Sequence, residues 1–107
     1  MSIEEKVLRN DLASYLRGEQ PSQDLLGKAP RLEEWAGAIS RPPVGGSYRL
    51  TMVATSYGHA LHPDGTQIET SEIVWLDRQG RWTRTRTRLW KLGQSAGIEI
   101  PLDGFDA

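Results

Sequence analysis

A chain of 107 residues, 37% hydrophobic and 25% charged, is long enough for one folded domain and too apolar to stay disordered. It has no cysteine, which excludes disulfides, thiolate catalysis and cysteine-based zinc sites. Its net charge of −1 argues against a dedicated nucleic-acid binder, which is usually basic overall.

The charge is unevenly spread. Six Lys/Arg against seven Asp/Glu up to Ser47 give −1, seven against four from Tyr48 to Gly93 give +3, and no base against three acids from Gln94 onward give −3. No secretory apolar region and no membrane-length apolar run occurs, so a cytoplasmic protein without a membrane partner is expected.

The first third reads as helical. Ser2 and Glu5 make a capping-box pair, and Ile3, Val7, Leu8, Leu12, Tyr15 and Leu16 recur at helical spacing until Gly18. Pro21 opens a short helical turn that ends near Gly27, with Leu25 and Leu26 as its buried pair. Pro30 opens a third helix, whose apolar positions are Leu32, Trp35, Ala36 and Ile39. The run "SRPPVGGS" then breaks helix and connects to a sheet.

From Tyr48 the period is two, with Leu50, Met52 and Ala54 on one face. "HPDGT" is a hairpin turn in which Gly65 takes the positive φ. A second strand runs from about Gln67 to Leu76, "DRQG" turns on Gly80, and a third strand runs from about Arg81 to Leu92. The expected fold is one α+β domain. Helices over residues 2–40 pack on one face of a three-stranded antiparallel meander over 48–92, and 94–107 form an extended acidic tail.

The third strand contains "RWTRTRTRLW". In an unbroken strand Trp82, Arg84, Arg86, Arg88 and Trp90 share one face, and Thr83, Thr85, Thr87 and Leu89 share the other. Arginines are rarely buried without partners, so the Arg/Trp face is expected to be wet and the threonine face to lie against the helices. The favoured register adds Trp75, with Glu69, Ser71, Ile73 and Asp77, to the arginine face, while a slip of one residue puts Glu72 there instead. Such a face is an internally paired lattice, or is covered by Glu99, Asp103 and Asp106 of the tail, or is a partner surface of Arg84, Arg86, Arg88, Trp82, Trp90 and Trp75.

Signals for chemistry are weak. His59, His62 and Asp64 lack a third ligand at metal spacing, and Ser47, Ser56 and Ser71 lack the context of a nucleophile. Gly45-Gly46 is no phosphate loop, and Glu33-Glu34 reads as a solvated pair. Neither catalysis nor a metal nor a cofactor is expected. A protein or nucleoprotein partner is expected, with nucleic-acid binding through phosphate contacts and base stacking as the alternative.

Thr70-Ser71, Leu76-Asp77, Trp82, Arg84-Thr85, Thr87-Arg88, Trp90 and Leu92-Gly93 follow one another within Gly65 to Gly93. This order resembles that of an uncharacterised family of short, mostly alphaproteobacterial proteins, with "GEQPSQDLLGKAPRLEEW" and "GHALHPDG" similar to its upstream segments. The family often has Tyr at the place of Trp90 and varies at Arg86, so the resemblance carries Arg84 and Arg88 better than Arg86. It implies no activity. It implies a small domain of the kind borne by plasmids or prophages, such as an inhibitor or accessory of a nucleoprotein complex in the manner of an anti-CRISPR protein.

Overall fold

The computed structural model describes residues 2–40 and 45–96. The tail beyond Ala96, with Glu99, Asp103 and Asp106, and part of the "SRPPVGGS" connection lie outside the described residues.

Two helices form where the caps place them. Helix α1 spans Ile3–Leu16, and the Ser2 hydroxyl accepts a hydrogen bond from the Glu5 N–H. Helix α2 spans Gln23–Lys28, and Ser22 accepts from Leu25 N in the same way. Tyr15 is the buried residue of α1, while α2 has none.

The third expected helix is a strand. β1 runs Arg31–Ser40 and pairs antiparallel with β2, Arg49–Tyr57. Its register slips by one residue between Glu33 and Ala36, and Glu34 takes a φ of +50° there. That bulge is why the spacing misleads. An extra residue in the strand puts Leu32 and Trp35 on one face although they lie three apart, which mimics a helical stripe. Gly37 opposes Met52 on that same face, and a glycine inside a helix would have cost about 1 kcal/mol.

Both of the other long runs also split. Gln67 to Leu76 becomes β3, Thr66–Glu69, and β4, Ile73–Leu76. Arg81 to Leu92 becomes β5, Trp82–Thr85, and β6, Leu89–Leu92. The result is α+β, but with a six-stranded sheet in the order β3-β2-β1-β6-β5-β4 and not a three-stranded meander. It is mixed, because β6 lies parallel to β1 while the other pairs are antiparallel.

Connectivity forces this sheet to curl. In a flat six-stranded sheet the edges are five spacings apart, about 24 Å, whereas the four chain steps from Glu69 to Ile73 reach at most about 14 Å. The corner Thr70–Glu72 is therefore shared by both halves. Thr70 N donates to Met52 O and Met52 N donates to Thr70 Oγ1, while Arg86 N donates to Glu72 O beside the end of β5. Inside the curl, Leu32, Met52, Ala54, Trp90 and Leu92 form the core, with Trp35, Ile68 and Ile73 packed against it. The helices lie on the outer face, where Tyr15 meets Trp75 and Trp82, and Lys91 Nζ donates to Gly27 O.

Candidate functional site

The arginine segment is a hairpin. β5 ends at Thr85, where Thr85 N donates to Arg88 O at 2.9 Å. The Thr85 hydroxyl closes the turn from its other side: it accepts from Arg88 N at 3.2 Å and also reaches Arg88 O. A buried threonine thus does what Gly, Asn or Asp usually does in a turn. With the chain reversed over 86–88, Trp90 points into the curled sheet while Arg84 points out of it. The single Arg/Trp face therefore does not exist.

Each expected contact residue accordingly has its own place. Trp82 and Trp90 are buried, at 2% and 4% exposure, and neither indole N–H has an acceptor among the described residues. Arg84 is 9% exposed and lies beneath α1, its Nη1 3.5 Å from Asp11 Oδ2. Trp75 is half-buried against Tyr15 and opposes Arg84 across the β4–β5 ladder. Arg86 is exposed at the hairpin tip, with Nε 2.8 Å from Glu72 Oε1. Arg88 is half-buried, its guanidinium 5.7 Å from the centre of the Trp90 ring.

Two expectations are corrected here. The guanidiniums were to be wet, yet helix α1 covers Arg84, because the helices occupy the arginine side of β5. The threonines were to face the helices, yet Thr83 and Thr85 are fully buried inside the curl. A short strand between a helical layer and the inside of a curled sheet has no wet face, so alternation cannot report which side is dry. The favoured register holds for Trp75 beside Arg84 and Leu76 beside Thr83. A slip between Ile73 and Trp75 moves Ile73 to the core face, and Glu72 rather than Glu69 meets an arginine. Glu69 instead accepts from the Thr51 hydroxyl at 2.7 Å.

The three arginines nevertheless converge. A cavity of about 430 Å³ is lined by Arg84, Arg86, Thr87 and Arg88 on the hairpin side and by Ile3, Glu4 and Val7 on the α1 side. Arg84 also lines a second cavity of about 430 Å³ between the helices, with Asp11, Tyr15 and Lys28. Burial first, then Asp11, push the Tyr15 hydroxyl pKa above its ordinary value, against the opposing pull of Arg84. Charges around the first cavity are incompletely matched. Glu72 holds Arg86 in hydrogen-bond geometry, Asp11 makes a long ion pair with Arg84 at 3.5 Å, and Arg84 Nε has no acceptor among the described residues. Arg88 has no carboxylate partner among the described residues.

No family model, curated protein or solved structure matches the chain.

The histidines lie at the hairpin end of the sheet. His59 stacks on Trp90 with ring centres 5.5 Å apart, and His62 lies 4.4 Å from His59. Burial, then Arg88, then His62 hold the His59 pKa below its ordinary value. The Asp64 carboxylate is turned away to accept from Gly58 N. Sequence reasoning missed Thr87, Asp11 and Tyr15 as neighbours of the arginines. Asp11 lies off the apolar stripe of α1, and only the helix's seat over β5 brings it to Arg84.

Proposed function

We propose that the protein is a non-catalytic binding module that engages an acidic protein or nucleoprotein partner through the arginine hairpin. The convergence of Arg84, Arg86 and Arg88 on one open cavity carries this reading. Arg86 and Arg88 are the surface contacts, and Arg84 forms the floor. Trp82 and Trp90 are withdrawn from the contact set because they are buried in the fold. Their burial also removes the stacking platform that the nucleic-acid alternative needs. A small chain of this kind suits the inhibitor or accessory role implied by the family resemblance, an anti-CRISPR-like activity included.

Affinity capture with the tagged full-length chain from its native host tests the reading. The intact chain should retain a partner that the Arg86→Glu/Arg88→Glu double variant loses, with unchanged circular dichroism. Equal recovery by both chains would remove the hairpin from the interface. Anisotropy titrations with single-stranded and duplex oligonucleotides at two salt concentrations form the second arm. A steep fall of affinity with salt would reassign the partner class to nucleic acid.

A further inference from the structure

We infer that the cavity between the arginine hairpin and α1 is a recognition site for a phosphate monoester, carried as a phosphorylated side chain of the protein partner. This rests on the binding-module reading and narrows it. Arginine suits the task, because its planar fork of N–H donors matches phosphate oxygens bidentately. Thr87 adds a hydroxyl to the same wall.

Charge density favours the monoester. Of the three arginines on the lining, Arg86 pairs with Glu72 and Arg84 with Asp11, which leaves Arg88 without a carboxylate among the described residues. A phosphomonoester carries about −1.5 to −2 at neutral pH on three strong acceptor oxygens, so it can meet Arg88 and compete with single carboxylates for the other two guanidiniums. A nucleic-acid backbone instead spreads single charges over many phosphates and calls for a basic stripe, which a chain of net charge −1 does not supply. The apolar side chains of Ile3 and Val7 close the cavity on the α1 side, which suits one end-on group better than a passing strand.

Acceptors are scarce where donors are plentiful. Arg84 is nine-tenths buried, its ion pair with Asp11 is long, and its Nε has no acceptor among the described residues. Leaving a buried donor unpaired is costly, so the neighbourhood gains from an added oxygen-rich anion. Arg88 is positioned but not neutralised: it lies over the Trp90 ring and meets no carboxylate among the described residues.

The experiment is an NMR titration of the 15N-labelled full-length protein with a blocked Ala-phosphoserine-Ala tripeptide. Saturable shifts are expected at the backbone N–H groups of Arg86, Thr87 and Arg88 and at arginine Nε–H. The unphosphorylated tripeptide should give none. Affinity should weaken as the pH falls from 7 to 5, because the second ionisation of a monoester lies near about 6. Arg88→Gln, and independently the exposed Arg86→Gln, should each weaken binding about tenfold, whereas Arg49→Gln on β2 should not. Absence of binding at millimolar tripeptide, or unchanged binding in both variants, would overturn the site. Tighter binding of a six-nucleotide thymidine oligomer without terminal phosphates would overturn the monoester assignment. If the tripeptide fails while the double charge reversal still abolishes partner capture, this inference falls and the broader reading stands. If neither effect is seen, both fall.

Discussion

Arg84 holds a nine-tenths buried guanidinium beneath α1, with Asp11 3.5 Å away as its counter-charge. Asp11 is itself 37% exposed, so water screens part of the attraction. Asp11→Asn should therefore lower stability by about 1–2 kcal/mol, below the cost of breaking a fully buried pair. Asp24→Asn, which breaks an exposed pair with Lys28, should cost less than about 0.5 kcal/mol. Urea midpoints measure both, and equal midpoints would show that Arg84 does not depend on Asp11. Gly93 offers a sharper test, since a Cβ there would run into the Glu33 carboxylate. That carboxylate pairs with Arg31 at 2.7 Å and accepts from Gln94 N at 2.6 Å. Gly93→Ala should cost about 1 kcal/mol, and the cost should largely vanish in a Glu33→Ala background.

At the scale of elements, the hairpin turn rests on one hydroxyl. Thr85→Val keeps the shape of a fully buried side chain but removes the oxygen that binds Arg88 N and Arg88 O. It should destabilise the protein by about 1–3 kcal/mol and speed hydrogen exchange at Arg88, whereas Thr87→Val on the exposed tip should do less. The loop that carries His59 should respond to pH. A His59 pKa below its ordinary value means that the unfolded chain binds the proton first on acidification. Stability is then fully present above about pH 6.5 and is lost as the pH falls toward the folded pKa. His59→Phe preserves a ring on Trp90 and should flatten this dependence in thermal melts between pH 7 and 5. An unchanged slope would place the titrating group elsewhere.

The whole molecule has two unequal parts. The curled sheet holds the buried apolar cluster, whereas α1 contributes Tyr15 to burial and leaves Ile3, Val7 and Leu16 exposed at 81%, 47% and 76%. Backbone amides of α1 should exchange through local opening, well ahead of those in β1, β2 and β5, which should approach global protection. Native-state exchange read residue by residue decides this. Uniform protection would show that α1 is welded to the sheet. A labile α1 would also matter for the arginine cavity, since Ile3, Glu4 and Val7 form one of its walls.

Much of the local structure was legible. Ser2 capping Glu5, the short helix after Pro21, and the turns at Gly65 and Gly80, with φ of +88° and +70°, all follow from short-range chemistry. The α+β class and the strand around Met52 follow from periodicity. Three features did not follow. A bulge at Glu34 gave β1 the spacing of a helix, a threonine turn broke a strand with no glycine or proline to mark it, and the corner at Thr70 divided another. Two depend on a neighbour distant in the chain, β2 for the bulge and Met52 for the corner, while the turn is local but rests on a threonine hydroxyl that ordinary turn chemistry does not single out. Burial on both sides of β5 then erased the wet face that alternation implies. Residue order thus determined the caps, the turns and the alternating positions, because those forces act within a few residues. Only the curl of the sheet and the seat of α1 decided which arginine is buried and that all three share one cavity, because those contacts join residues that the sequence keeps far apart.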